Sequence, residues 1–343
     1  MGLFNNILKG DESLFTNEIA LDFDYIPEII KFRENEQSYI ATCIKPLFNN
    51  INGKNLIITG TPGIGKTAAI KKIFEELTNE TDNIFPIYIN CYKKETPHKI
   101  ALEICEQLEY RFTHNKTTED LIKEITKILN KKAVVLCFDE IDKLEDASVL
   151  YTILEDINKK SILLITNYKD WIYKLDQRIK SRLMPEILEF KPYNHEETKG
   201  IINQRIEYAF VPGVFRKEAA ELIAEKTSEH EDIRTGLFLL KESGLIAESQ
   251  AKKEITLEHA QKAAEKIKNF SEKKDLPREE SEILEIIRAN LGKTSKELYE
   301  IYPQKSATAY RTFSRKLENL EKKGYIARKE AYSKGKTSVI ELK

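Results

Sequence analysis

The sequence predicts an α/β domain on a parallel sheet, then an all-helical domain, then a small domain of three helices and a β-hairpin. Three observations carry this reading. From about residue 55 to 190, short apolar runs alternate with amphipathic stretches. Residues 195–269 carry helical periodicity alone. The last sixty or so residues return to short helices and close with two strand-like segments about a glycine turn. A chain of 343 residues is also too long for one ordinary core and should divide into two or three domains.

The strand candidates are NLIIT (55–59), IFPIYIN (84–90), AVVLCF (133–138), SILLIT (161–166) and EILEF (186–190). They are short, rich in β-branched residues and nearly continuous in apolar character, as strands covered on both faces of a parallel sheet are. The helical stretches between them make the class α/β. After KPYNHEE come HEETKGIINQRIEYAF, RKEAAELIAEKTS, DIRTGLFLLKESGLIAESQ and TLEHAQKAAEKIKNF, all helical in pattern. The polar stretch SEKKDLPREE (271–280), with Pro277, reads as a linker.

The tail holds helices at SEILEIIRAN and SKELYEIY. A third starts near Ser306, a good N-cap, and stops at Gly324. In that helix Tyr310, Phe313, Leu317 and Leu320 recur at spacings of three, four and three, which makes one core-facing stripe. YIARKEAY and TSVIEL flank the turn SKGK. Three helices and a hairpin fit a winged-helix domain. The expected boundaries are 1–192, 193–270, a linker at 271–280, and 281–343.

Hydrophobic residues at 41% and charged ones at 32% are ordinary for a soluble chain. No apolar run approaches the roughly 18 residues that span a bilayer. The start, MGLFNNILKGDESLF, lacks the pattern of a signal peptide, and Asn6 stands where a myristoylation signal has Ser or Thr. A cytoplasmic, nucleoid-associated protein with no membrane partner is expected. Cys43, Cys91, Cys105 and Cys137 form no C-x-x-C pair, and the five histidines do not cluster near them. They read as reduced thiols, neither zinc ligands nor disulfides.

The net charge is only −1, but it is segregated. Residues 281–343 carry 14 Lys and Arg against 8 Asp and Glu, and the remainder 41 against 48. An acidic body and a basic tail point to different partners.

GTPGIGKT (60–67) follows one strand candidate and opens a helix, the setting of a P-loop. Gly60, Thr61, Pro62, Gly63, Ile64, Gly65, Lys66, Thr67 and Ala68 should surround a phosphate chain. Gly60, Gly63 and Gly65 let the backbone approach it, and the helix N-terminus adds positive potential. Lys66 should reach the β- and γ-phosphates and Thr67 should ligate Mg²⁺. VVLCFDEIDKLED ends a strand in two acids. Asp139 should complete the Mg²⁺ shell, and Glu140 should polarise an attacking water. The cofactors implied are ATP or ADP and Mg²⁺. Asn167 closes the strand SILLIT, where a polar residue can orient that water. LDQRIKSRL offers Arg178 and Arg182, and DIRTG offers Arg234, as arginines for the charge of the transition state.

With these motifs in order along nearly the whole chain, the sequence resembles the archaeal origin-recognition and cell-division-control initiators. These are AAA+ ATPases related to subunits of the eukaryotic origin recognition complex. YIPEIIKFRENEQ, NCYKKET, FDEID, LLITNYKDW, LDQRIKSRLMPEILEFKPY, EYAFVPGVF and DIRTGLFLLKESGLIAE carry the likeness. The resemblance implies adenine-side roles for Arg33 and Glu34. It places Tyr193 of the P-Y pair on the nucleotide, Asn167 as sensor 1 and Arg234 as sensor 2. The sequence departs from the pattern at Tyr168, at Glu231-Asp232-Ile233 before Arg234, and at Ser181-Arg182-Leu183. The last form favours Arg182 over Arg178 as an arginine finger toward a neighbouring subunit.

The resemblance also implies that the tail binds duplex origin DNA. Thr308, Arg311, Thr312, Arg315 and Lys316 fall off the apolar stripe, where a recognition helix reaches DNA, and Lys334 and Lys336 flank the tip of the wing. A second DNA element is expected as a helical piece within 101–124, with Arg111, His114 and Lys116 as contacts. The implied function is an ATP-switched replication initiator with slow hydrolysis, whose partners are origin DNA, a minichromosome maintenance helicase, and another copy or a paralogue. A DNA-bound regulator with a decayed ATPase, or a mobile-element ATPase, would use the same parts.

Overall fold

The computed structural model describes residues 13–274, 278–290, 292–302, 310–322, 325–332 and 336–342. Two compact units emerge, Met1–Ala264 and Glu265–Lys343.

The first unit opens with α1 (Glu34–Ile44) and then winds β1 (Leu56–Thr59), α2 (Lys66–Glu80), β2 (Ile84–Asn90), α3 (Pro97–Gln107), α4 (Thr118–Leu129) and β3 (Ala133–Asp139). It continues through α5 (Ser148–Asp156), β4 (Lys160–Thr166), α6 (Gln177–Leu183) and β5 (Glu186–Glu189). The five strands form one sheet in the order β2-β3-β4-β1-β5, and every pairing is parallel.

Alternation explains why the central strands are apolar at successive positions. Along β3, Val134, Leu136 and Phe138 enter the core shared with α3 to α6, whereas Ala133, Val135 and Cys137 enter the core under α1 and α2. Residues on β1 and β4 divide between the same two cores. A strand covered on both faces must be apolar at successive positions. All four cysteines are buried.

The lid follows as α7 (His195–Ala209), α8 (Lys217–His230) and α9 (Ile233–Ser249). Asn194 and Glu197 close a reciprocal capping box at the start of α7. Asp232 caps α9 by accepting from the Arg234 N–H. Among the described residues no helix is long and apolar enough to cross a membrane.

α10 (Leu257–Lys274) carries the chain into the second unit, which comprises α11 (Arg278–Ala289), α12 (Ser295–Glu300), α13 (Tyr310–Lys322) and the antiparallel pair β6 (Ile326–Tyr332) and β7 (Lys336–Leu342). Its core gathers Ile283, Leu284 and Ile287 with Leu298, Tyr302, Phe313, Leu317, Leu320, Ile326 and Ile340. This is the winged-helix order.

The stretch read as a linker is helical at 271–274 and 278–280, and 275–277, with Pro277, lie outside the described residues. Two expectations are corrected. Tyr310 is not core. It is 36% exposed, stacks edge-on against Tyr299 and keeps its hydroxyl 3.2 Å from Ser295 Oγ at the rim. The helical piece expected within 101–124 is no separate element. α3 and α4 flank a non-helical connection, 108–117, in which Glu109 (φ 56°) and Asn115 (φ 58°) turn left-handed. Arg111, His114 and Lys116 all lie in it. The Lys116 ammonium donates to the Tyr110 hydroxyl at 2.6 Å, and Phe112 is 76% exposed.

Candidate functional site

The order of the sheet sets the chemistry. β4 lies between β1 and β3, so the C-terminal ends of these three strands converge on one edge. The phosphate-type loop leaves β1 there, Asp139 ends β3, and Asn167 follows β4. A cavity of about 420 Å³ opens over this edge, and the lid contributes Arg234 and Leu237 to it.

The loop can take its shape only with glycine. Gly63 and Gly65 have φ of 74° and 90°, a region that side chains disfavour. A Cβ on Gly63 would meet the Asp232 carboxylate at 1.8 Å, and one on Gly65 would meet the Tyr193 hydroxyl at 2.9 Å. Gly60, Thr61 and Ile64 form the back of the loop. Ile64 is buried at 1% exposure.

The Lys66 ammonium donates to the Gly60 carbonyl (2.8 Å), the Thr61 carbonyl (2.7 Å) and Asn167 Oδ1 (2.9 Å). Burial pushes its pKa down to about 8, against an opposing pull from Asp139. Asp139 Oδ2 accepts from Thr67 Oγ1 at 2.6 Å and from the Tyr88 hydroxyl at 2.7 Å, while Oδ1 accepts from the Glu140 N–H at 2.8 Å. Glu140 is left-handed (φ 52°), so the chain turns sharply after β3, and its carboxylate lies 3.5 Å from Asn90 Nδ2.

Arg234 reaches the cavity from the first turn of α9. Its guanidinium is clasped by Asp232, at 3.0 Å from Nε to Oδ1 and 2.8 Å from Nη2 to Oδ2. The adjacent Ile233 N–H donates to the Gly63 carbonyl at 3.1 Å, which fastens α9 to the loop.

Pro62, Gly63, Gly65, Lys66, Thr67, Ala68, Asp139, Glu140, Asn167, Tyr193 and Arg234 therefore share one cavity. Other anticipated residues do not. Arg33 is 4% exposed and acts as a strut. Its Nε donates to the Ile64 carbonyl (3.1 Å), Nη2 to the Lys191 carbonyl (2.6 Å) and Nη1 to Glu36 (2.9 Å), and its guanidinium lies 3.8 Å from the Tyr193 ring centre. Glu34 is exposed and accepts from the Phe32 N–H. Neither lines the cavity. Arg182 pairs with Glu155 at 3.1 Å and with the Tyr151 hydroxyl at 3.3 Å, and Arg178 pairs with Asp176. Both lie outside this chain's own cavity.

Motif spacing did not reveal Tyr88 and Asn90 on β2, nor the lining drawn from the segment before α1 and from α7, which includes Phe23, Asp24, Tyr25, Pro27, Ile30 and Lys31 with Ile201, Gln204 and Arg205. The only sequence signal for Tyr88 and Asn90 was that β2 neighbours β3 in such sheets.

On α13, Phe313, Leu317 and Leu320 are fully buried, Arg311 and Arg315 are exposed, and Thr312 and Lys316 are half-buried. Lys336 opens β7, while Thr308 and Lys334 lie outside the described residues.

A P-loop after β1, acids after β3, a polar residue after β4 and a lid arginine over one cavity define a nucleotide-binding ATPase of the AAA+ class. Comparison with known proteins makes this more specific. The AAA domain family matches residues 51–168, the Cdc6 AAA+ ATPase-type lid domain matches 199–265, and the Penicillinase repressor family matches 276–337. ORC1-type DNA replication protein 2 of Methanothermobacter thermautotrophicus is 31% identical over 336 residues, covering 92% of this chain and 88% of the relative. ORC1-type DNA replication protein 1 of Sulfurisphaera tokodaii is 33% identical over 73% of this chain and 66% of the relative. The Aeropyrum pernix ORC1 protein, solved in complex with DNA, superposes with a TM-score of 0.73 at 25% identity, covering 97% of this chain and 94% of that one. The chain belongs to the ORC1-type DNA replication proteins.

Proposed function

We propose that the protein is an ATP-switched replication initiator that holds duplex origin DNA through its winged helix and helps recruit the replicative helicase. The observation that carries the switch is the shared cavity. Lys66, Thr67, Asp139, Glu140 and Asn167 come from three strand ends, and Arg234 comes from a lid fastened to the same loop. A ligand bridging them would couple the lid to the sheet.

The residues suit a nucleotide. A cavity of about 420 Å³ matches the usual size of a small-ligand site. A buried ammonium beside a turn that excludes Cβ atoms suits a phosphate chain. Thr67 and Asp139 offer hard oxygen donors 2.6 Å apart and would hold Mg²⁺, which uses few protein ligands. When bound, the cation neutralises phosphate charge. Lys66 would leave the loop carbonyls for phosphate oxygens. Arg234 would exchange the Asp232 carboxylate for phosphate. Glu140, steered by its left-handed turn and by Asn90, would orient water and receive its proton, with Asn167 beside it. Hydrolysis should be slow without a partner, because among the described residues no arginine beyond Arg234 and Arg205 lines the cavity.

The DNA half of the proposal draws on the basic tail, the exposed Arg311 and Arg315, and the DNA complex of the Aeropyrum pernix relative.

Nucleotide titration of three proteins tests the site. Lys66→Ala should lose at least about tenfold in ATP and ADP affinity, the scale of charge-assisted hydrogen bonds. Glu140→Gln should bind ATP as the parent does and lose about 10²- to 10⁴-fold in turnover. Normal ATP binding by Lys66→Ala would refute the assignment.

A further inference from the structure

One donor reaches the Asp139 carboxylate from the edge of the sheet, outside every nucleotide motif. Asp139 Oδ2 accepts from the Tyr88 hydroxyl at 2.7 Å as well as from Thr67 Oγ1 at 2.6 Å. A phenol is unionised at neutral pH and each hydroxyl has one proton to give, so both bonds run toward the carboxylate. Tyr88 lines the cavity, and the Lys71 ammonium of α2 lies 5.2 Å from its ring centre. Its backbone is clamped as well. β2 is an edge strand, and the Gln107 amide at the end of α3 takes the place of a neighbouring strand. Gln107 Oε1 accepts from the Tyr88 N–H at 3.1 Å, and Nε2 donates to the Tyr88 carbonyl at 2.7 Å. Backbone and hydroxyl of Tyr88 are therefore both fixed.

We propose that Tyr88 is a positioning residue for the cation site, holding the Asp139 carboxylate in the orientation that serves a divalent cation on the bound nucleotide. This rests on reading the cavity as a site for ATP and Mg²⁺. Lys66 and Asp139 line that cavity with opposite charges, and each attracts the other. If they paired, the ammonium would be lost to the phosphates and the carboxylate to the cation. Thr67 holds Asp139 by a single proton while its oxygen must also offer lone pairs to the cation. Tyr88 has no such second duty. Groups that orient the ligands of a metal typically count for about 10- to 100-fold in metal affinity.

The test measures the ATP affinity of the full chain and of Tyr88→Phe, each in excess Mg²⁺ and in excess EDTA. Phenylalanine keeps the ring beside Lys71 and removes only the hydroxyl. By linkage, the ratio of the two affinities reports how much more tightly protein-bound ATP holds the cation than free ATP does. That ratio should fall about 10- to 100-fold in Tyr88→Phe. A general loosening of the site would weaken both affinities alike and leave the ratio at the parent value, and that result overturns the proposal. The same comparison in an Asp139→Asn background tests the route. With the carboxylate gone, removing the hydroxyl should lower the ratio no further, and an undiminished further fall overturns the proposal. A Tyr88→Phe chain that does not fold overturns it too, because the hydroxyl would then be a requirement of the fold. A parent that binds ATP in neither medium would instead bring down the nucleotide reading, and this proposal with it.

Discussion

Glu231 shows how one backbone angle can weigh on a functional joint. It follows α8 with φ of 51° and leads directly into Asp232, Ile233 and Arg234, which fasten and arm the lid. The left-handed residue after a helix is most often glycine, because any side chain there crowds the following carbonyl. Glu231→Gly should therefore raise the unfolding free energy by about 1 kcal/mol, measured by chemical denaturation. Nucleotide affinity should change little, since Glu231 lines no part of the cavity. A loss of stability would mean that the glutamate side chain contributes more than the turn costs. Glu140 also adopts a left-handed angle, but the residue one place before it, Asp139, is held by three hydrogen bonds. There the strain aims a carboxylate, as at many active sites.

Among the elements, α10 carries a pH-sensitive start. His259 is 2% exposed, and its Nδ1 accepts from the Thr256 N–H at 3.0 Å. Burial, chiefly, lowers its pKa below the ordinary 6.5, with a smaller opposing pull from Glu258. The unfolded chain therefore takes up this proton first as pH falls. The stabilisation is complete above about pH 6.5 and is lost below it, toward the folded-state value, at up to about 1.4 kcal/mol per pH unit. Unfolding curves between pH 7.5 and 5.5 should show this decline, and His259→Asn, which keeps an acceptor, should flatten it. Elements of this kind were legible to different degrees. The central strands β1, β3 and β4 could be read because burial on both faces keeps successive positions apolar, while the edge strands β2 and β5 were legible from their β-branched runs alone. The P-loop and the acids after β3 were legible because glycine, lysine and carboxylate are required at fixed spacing. The strut geometry of Arg33, behind Tyr193 and outside the lining of the cavity, was not legible. A buried guanidinium facing two carbonyls and a tyrosine looks in sequence like any other arginine. Tyr88 and Arg205 were invisible for a related reason: they reach the cavity through strand order and helix packing, which no local motif encodes.

For the whole molecule, charge segregation makes a quantitative claim about DNA. Each phosphate neutralised by a cation releases counterions, so the logarithm of affinity falls with the logarithm of salt in proportion to the number of contacts. Fluorescence anisotropy of the full chain on duplex DNA should give a steep salt slope, and Arg311→Ala and Arg315→Ala should each reduce it by about one. Flat salt dependence would make the winged helix a protein-docking module. The second claim concerns assembly. Arg182 is held by a half-exposed pair with Glu155, an interaction worth about 1 kcal/mol or less, and by the Tyr151 side chain, so it can be released to another partner. It lies outside its own cavity, so as an arginine finger it would serve the nucleotide of a neighbouring copy. Arg182→Ala should therefore leave ATP affinity unchanged in dilute solution. ATP turnover by the parent on DNA should rise with protein concentration, and the variant should lose that rise, by at least about 100-fold where the arginine completes a phosphoryl-transfer site. If parent turnover per molecule is independent of concentration and the variant matches it, Arg182 is a surface residue of α6 and the ATPase works alone.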